Sequence, residues 1–402
     1  MTSDMRPLKS IMTAALLVIA VLATARAQEP GSRAEELARQ QEEKARALKP
    51  YKEPWIERQL LAIEDAGGFG VARGLFVAFG DIKRGSGFAM GPAYGKTFAS
   101  GAAVVAKGAY AFSNAKMAQL SLQSPALAGR RLLFKGRARW QDAPTVRVYA
   151  LGMDSPKVKT EYSETKTEVS GEAALEPVRF LRLGAGVGVE RFETGISHKA
   201  DPAHSDIFDG LPGVGADPRY VHGRAYAAID SRDGQGYSRH GSLLQATLHD
   251  YRQENDGPYS FQRVDGAAEQ YVPILRGNWV LFLGLRASTT ATTGGHAVPF
   301  FLMPDLGGND LRGFANYRFR DLHSILITAE YRWYAQEYLD AAIFYDAGKT
   351  VPTRGALDFT GLKSSVGAGL RLHGPQTTAI RFEVAHSREG MRILLKFSPV
   401  GQ

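Results

Sequence analysis

Phe180-Leu181-Arg182-Leu183-Gly184-Ala185-Gly186-Val187-Gly188-Val189-Glu190-Arg191 alternates without a break. Successive side chains of an extended strand point to opposite faces. Leu181, Leu183, Ala185, Val187 and Val189 therefore share one face, and Arg182, Gly184, Gly186, Gly188 and Glu190 share the other. One face is oily and the other suits water, which is the pattern of a strand that borders lipid outside and a wet lumen inside.

The same split recurs along the chain. Ile380, Phe382 and Val384 oppose Arg381 and Glu383, and Met391, Ile393, Leu395 and Phe397 oppose Arg392 and Lys396. Ile327, Ala329, Tyr331 and Trp333 oppose Thr328, Glu330, Arg332 and Tyr334, with Tyr331 and Trp333 suited to an interfacial aromatic girdle. Segments of this kind start near residues 86, 102, 114, 131, 145, 163, 180, 222, 241, 268, 279, 324, 338, 364, 378 and 390. The expected fold is all-β: a transmembrane antiparallel β-barrel of about sixteen strands, within about fourteen to eighteen. Val71 to Phe79 could supply a further strand.

Connector length is a second signal, because outer-membrane barrels alternate short periplasmic turns with long external loops. Residues 193–221, 253–267, 290–323 and 349–363 read as long connectors. Between them Arg276-Gly277-Asn278, Ala335-Gln336-Glu337 and Gly374 to Thr378 read as short turns. The rival is a soluble β-sandwich or propeller, in which the apolar face would be buried against another sheet.

Composition removes other classes. The 402 residues are 44% hydrophobic and 22% charged, with no cysteine, and the mean hydropathy is −0.21. No long apolar run follows residue 30, so a helical membrane bundle is excluded. The net charge of +8 raises the question of nucleic acid, but the basic residues alternate with apolar ones instead of clustering. They are assigned to the lumen and loops, and no nucleic-acid partner is expected.

Three regions are expected. Residues 1–27 read as a cleaved secretory signal peptide, with Arg6 and Lys9 ahead of the apolar run Ile11 to Ala23 and Ala25-Arg26-Ala27 at the cleavage site. Residues 28–68 read as a periplasmic helical arm or linker, charged from Arg33 to Leu48 and broken at Pro50 and Pro54. Residues 69–402 form the barrel of a Gram-negative outer membrane.

One connector does not read as an exposed loop. Pro299-Phe300-Phe301-Leu302-Met303-Pro304-Asp305-Leu306-Gly307-Gly308-Asn309-Asp310-Leu311-Arg312-Gly313-Phe314 is apolar enough to need packing, and the lumen is the available place. Arg312 would then be removed from bulk water and need a carboxylate. Glu330 and Asp346 both fall on the lumen face of the next two strands, and Asp346 is taken as the partner. Gly313 would permit a tight turn at the loop tip, and Gly348 would leave space beside the carboxylate.

Leu306-Gly307-Gly308 followed by Leu311-Arg312-Gly313-Phe314, together with Phe344-Tyr345-Asp346-Ala347-Gly348, resembles the two motifs of the bacterial surface antigen superfamily. That superfamily includes BamA, TamA and the two-partner secretion transporters such as FhaC. The resemblance runs from about residue 80 to the end and is closest over 270–398. It implies a sixteen-stranded barrel, a sixth external loop folded into the lumen, and contact between the loop arginine, here Arg312, and the strand aspartate, here Asp346. Residues 28–68 are too few for a periplasmic POTRA domain, so a short member without POTRA domains is expected. The tail Ser398-Pro399-Val400-Gly401-Gln402 also departs from the terminal aromatic usual in such barrels.

The function implied is assistance in protein or lipid insertion or translocation at the outer membrane; the alternative is a passive structural barrel or gated pore. Partners would be outer-membrane lipid, client outer-membrane or secreted proteins, and a separate POTRA-bearing or chaperone-like subunit. No enzymatic activity and no cofactor are expected. His240 with Ser242 and His386 with Ser387 form no convergent triad. His198, Asp201, His204, Asp206 and Asp209 match no metal-ligand spacing, so no metal is expected either.

Overall fold

The computed structural model describes residues 74–397, apart from 130, 235, 276, 277 and 375–377. The segments read as signal peptide (1–27) and arm (28–68), and the tail after 397, lie outside the described residues.

Alternating sequence produces long strands joined as neighbours. They are β1 (Gly74–Asp81), β2 (Phe88–Thr97), β3 (Ala103–Ala111), β4 (Lys116–Gln123), β5 (Leu132–Val148), β6 (Thr160–Val178), β7 (Leu181–Ile196) and β8 (Arg219–Asp230). There follow β9 (Gly241–Gln253), β10 (Phe261–Ile274), β11 (Trp279–Ala291), the two-residue strands β12 (Asp305–Leu306) and β13 (Phe319–Arg320), and β14 (His323–Gln336). The last are β15 (Leu339–Val351), β16 (Lys363–His373), β17 (Thr378–Ser387) and β18 (Gly390–Phe397). All but β12 and β13 form one antiparallel sheet of sixteen strands in sequence order. The sheet curls until β1 and β18 lie close together, making a nearly closed barrel. Those two edges share no ladder among the described residues, whereas every other neighbouring pair does.

The faces sort as lipid and lumen require. Val187 and Val189 of β7 are 60% and 47% exposed while Glu190 is 5% exposed, and Ile393 and Leu395 are exposed while Glu383 is buried. Connector lengths follow in part, the four longest sharing one end although β8 joins β9 at the other through 231–240. At one end 149–159, 197–218, 292–322 and 352–362 are long, and at the other β6 joins β7, and β14 joins β15, through two residues each.

Three strand boundaries differ from the sequence reading. The start expected near 145 is the upper part of β5, which runs unbroken through Pro144. The register slips between Ala143 and Val146, and a bulge of that kind is where a strand tolerates proline. The missing sixteenth strand is β1, from the stretch held in reserve at 71–79. β10 starts at Phe261, not 268, and shortens the connector read as 253–267. Arg263 and Asp265 make its first half look like loop, yet in a wet lumen polar residues at every second position are what a strand presents.

The core sits inside the barrel, under the 292–322 loop. Phe300 packs on Tyr162 of β6 with ring centroids 4.8 Å apart, and Phe301 on Phe192 of β7 at 5.1 Å. Ile207, Phe208 and Leu211 of the 197–218 connector join the Phe300 cluster, and Val298 and Met303 join Tyr220, Tyr251 and Phe261. A third cluster comprises Leu306, Leu311, Phe314 and Phe319 of the loop with Leu326 of β14. Burying these rings stabilises by roughly 1.5–3 kcal/mol each, which offsets part of the cost of ordering a loop this long.

Candidate functional site

The loop descends as a narrow hairpin. β12 pairs with β13, and between them Gly307 and Gly308 take φ of +123° and +65°, conformations that favour glycine. A Cβ at either would strike the Ala315 carbonyl or the Asn316 side chain. That turn presents Arg312, 3% exposed, to the inward faces of β14 to β17.

Arg312 reaches three carboxylates. Its Nε donates to Asp346 Oδ2 at 2.8 Å and its Nη2 to Oδ1 at 2.7 Å, a bidentate fork that only a planar guanidinium makes. Its Nη1 donates to Glu330 Oε2 at 2.9 Å and Glu383 Oε1 at 3.1 Å. The guanidinium carbon lies 3.3 Å from the centroid of the Phe344 ring, a cation–π contact on the open face of the plane. Thr328 Oγ1 donates to Asp346 Oδ1 at 3.1 Å and helps fix the acceptor. Burial opposes a charged guanidinium, but Asp346, Glu383 and Glu330 outweigh it and raise the Arg312 pKa above the usual arginine value.

Further arginines complete the cluster. Arg371 Nη2 donates to Glu330 Oε2 at 2.5 Å, Arg381 Nη2 to Glu383 Oε1 at 2.6 Å, and Arg332 pairs with Glu330. Four guanidiniums thus interleave with three carboxylates from four strands and one loop. Such a network contributes little net stability against an apolar core, but it accepts one arrangement only.

Of the residues singled out in the sequence, Arg312, Asp346 and Glu330 come together directly. Gly313 lies outside the left-handed region; close packing, not a tight turn, requires glycine there. A Cβ would lie 2.5 Å from Ser365 Cβ and 2.7 Å from Ser387 Cβ, and Ser387 Oγ donates to the Gly313 carbonyl at 2.8 Å. Gly348 makes room for the loop itself, since its Cβ would meet Leu306 Cδ1 at 2.9 Å. Phe314 does not touch the carboxylates; it is buried against Phe319, ring centroids 5.0 Å apart.

Sequence reasoning missed Glu383, Arg371, Arg332 and Arg381 as members of the cluster. The parity that put Arg381 and Glu383 on the wet face of β17 was the available signal. It also missed the loop's outer ties. Arg84, in the connector between β1 and β2, pairs with Asp305 and donates to Asp310 Oδ2 at 2.8 Å. Arg318 Nε donates to Glu389 Oε1, in the β17–β18 turn, at 2.8 Å. The loop therefore bonds to the first and last hairpins, on both sides of the unladdered edge.

The family model for the Omp85 superfamily domain matches residues 215–393, which contain the Arg312 cluster entire. No curated protein matches the chain by sequence. BamA from Haemophilus ducreyi lacking POTRA domains 1-3 is similar in structure, with TM-score 0.61 and 15% identity over 81% of this chain and 69% of that one. CdiB from Escherichia coli gives TM-score 0.56 and 10% identity over 80% of this chain and 61% of that one, so this chain spans less than two thirds of CdiB's length. Identities this low speak for the barrel fold alone. The domain match spans β8 to β18, less than half of the chain, and over those residues the chain is similar to the Omp85 superfamily domain.

Proposed function

We propose that this barrel assists the insertion of proteins into the outer membrane or their secretion across it, without catalysing a covalent reaction. The observation that carries the reading is the edge between β1 and β18, the one place in the sixteen-stranded sheet without a ladder among the described residues. An unpaired edge presents N–H and C=O groups that a client strand can adopt by β-augmentation. In lipid such groups cost several kcal/mol each when unsatisfied, so the edge favours a partner strand over exposure. Arg312, held by Asp346, Glu330 and Glu383, is read as the anchor that keeps the loop in the lumen and braces the β14–β17 wall while the edge exchanges partners.

Reconstitution tests this. Proteoliposomes containing the full chain should accelerate the folding of an urea-denatured outer-membrane barrel, scored by its heat-dependent shift in gel mobility. Cells depleted of the protein should show an altered outer-membrane proteome or secretome. No acceleration together with unchanged proteomes overturns the proposal.

A further inference from the structure

The connector between β8 and β9, residues 231–240, is the longest at the end of the barrel away from the 292–322 loop. Its own bonds fold it into a firm turn. Arg232 at its root pairs with Asp230 and donates to Glu269 of β10 at 3.0 Å. Asp233 Oδ1 accepts from the backbone N–H groups of Arg239 and His240 at 2.9 and 3.3 Å, and Ser238 Oγ donates to the Gly234 carbonyl. An aspartate that gathers backbone donors in this way holds the tip in one direction.

That tip meets a distant part of the wall. Tyr237 Oη donates to Asp340 Oδ2 of β15 at 2.5 Å, and its ring stacks on His373 of β16 with centroids 3.9 Å apart and planes 9° from parallel. The Arg239 guanidinium lies 5.6 Å from the centroid of the Tyr334 ring of β14, and the Thr378 N–H of β17 donates to the Gly236 carbonyl at 3.4 Å. In the sheet β10, β11 and β14 stand between β9 and β15, roughly 19 Å of wall at about 4.8 Å per strand. The turn spans this along a chord, over the mouth of the lumen.

The wall is built to receive it. Asp340 shares the lumen face of β15 with Asp346, and Asp340 and His373 are each 4% exposed. A carboxylate so buried needs a donor. Among the described residues the Tyr237 hydroxyl supplies its hydrogen bond, and His373 Nε2 lies 3.4 Å from the other oxygen. Two residues from His373 on β16 stands Arg371, a member of the Arg312 cluster.

We propose that the 231–240 turn is a latch across the periplasmic mouth, pinned by Tyr237 and covering the sector beneath the Arg312 cluster. The long loop and this turn thereby shut the β14–β16 side of the lumen from opposite ends, and anything that travels along that wall displaces both. Release of Tyr237 uncovers the sector without breaking a strand ladder, because its contacts belong to none. The inference does not rest on the assembly role.

His373 reports the latch directly, since the Tyr237 ring covers one face of the imidazole. The full-length protein in neutral detergent is treated with diethyl pyrocarbonate, and modification of each histidine is followed by mass spectrometry. His204, half exposed in the 197–218 connector, serves as the reference. In the parent His373 should react at least about tenfold more slowly than His204. Tyr237→Ala should raise the His373 rate at least about tenfold and leave that of His204 unchanged. Tyr237→Phe keeps the ring and loses the bond to Asp340, so its rate should fall between the two. Should Tyr237→Ala lack the parent's heat-dependent gel shift, Tyr237→Phe decides in its place. A His373 that reacts as fast as His204 in the parent overturns the proposal. So does a His373 rate equal to the parent's in the deciding variant.

Discussion

A guanidinium that forks onto Asp346 while touching Glu330 and Glu383 has no conservative substitute. Lysine supplies one compact ammonium and cannot hold both Asp346 oxygens and a second acid together. Removing one partner from a buried pair costs about 3–5 kcal/mol because the other charge stays buried. Arg312→Ala should therefore release the loop from an otherwise intact barrel, and protease cleavage within 292–322 should accelerate at least about tenfold, with Arg312→Lys between the two. A cleavage rate equal to the parent's would contradict the anchor. The reciprocal exchange, Arg312→Asp with Asp346→Arg, should not restore protection, because an aspartate at 312 would face Glu330 and Glu383. Gly313→Ala should resemble Arg312→Ala for a steric reason, its Cβ meeting Ser365 and Ser387.

At the scale of elements, the loop is a strap between the two hairpins that flank the unladdered edge, tied by Arg84 on one side and Arg318 on the other. Arg84→Ala should raise amide exchange in 82–87 and β1 by about tenfold or more, the loss of a charged hydrogen bond, while β9 and β10 exchange as before. Uniform exchange across the barrel would contradict the strap. Its pH dependence has a defined sign. Burial would raise the Asp310 pKa, but Arg286 and Arg84 hold the carboxyl below its ordinary value. The tie is thus present at neutral pH and is lost only as the pH falls below the aspartate range of about 4, so protection of the loop should persist at about pH 5. These ties also mark the limit of what the sequence discloses. Alternation in β7, β17 and β18 and the pairing of Arg312 with Asp346 were legible, because face and motif are local properties of a strand or loop. Pro144 hid the continuity of β5, and the polar start of β10 hid its beginning, because bulges and wet lumens invert the usual cues. Arg84 with Asp305 lies 221 residues apart in sequence and Arg312 with Glu383 lies 71 apart; only the curl of sixteen strands brings them together.

For the whole molecule, the distribution of rings and charges decides what the lumen can pass. Phe300, Phe301, Met303 and Phe314 fill the lumen beneath the loop end with packed side chains, and the charged β14–β17 wall is occupied by Arg312. The strand ladders do not depend on that filling, since consecutive strands of the sixteen-stranded sheet are joined through their own backbones. Replacing 292–322 with a short Gly-Ser connector should therefore leave a barrel that keeps its heat-dependent gel shift but has an emptied core. In planar bilayers the intact protein should give small or flickering currents, and the excised form steady currents several-fold larger. Equal conductance in the two forms would mean that the loop does not fill the lumen in the membrane.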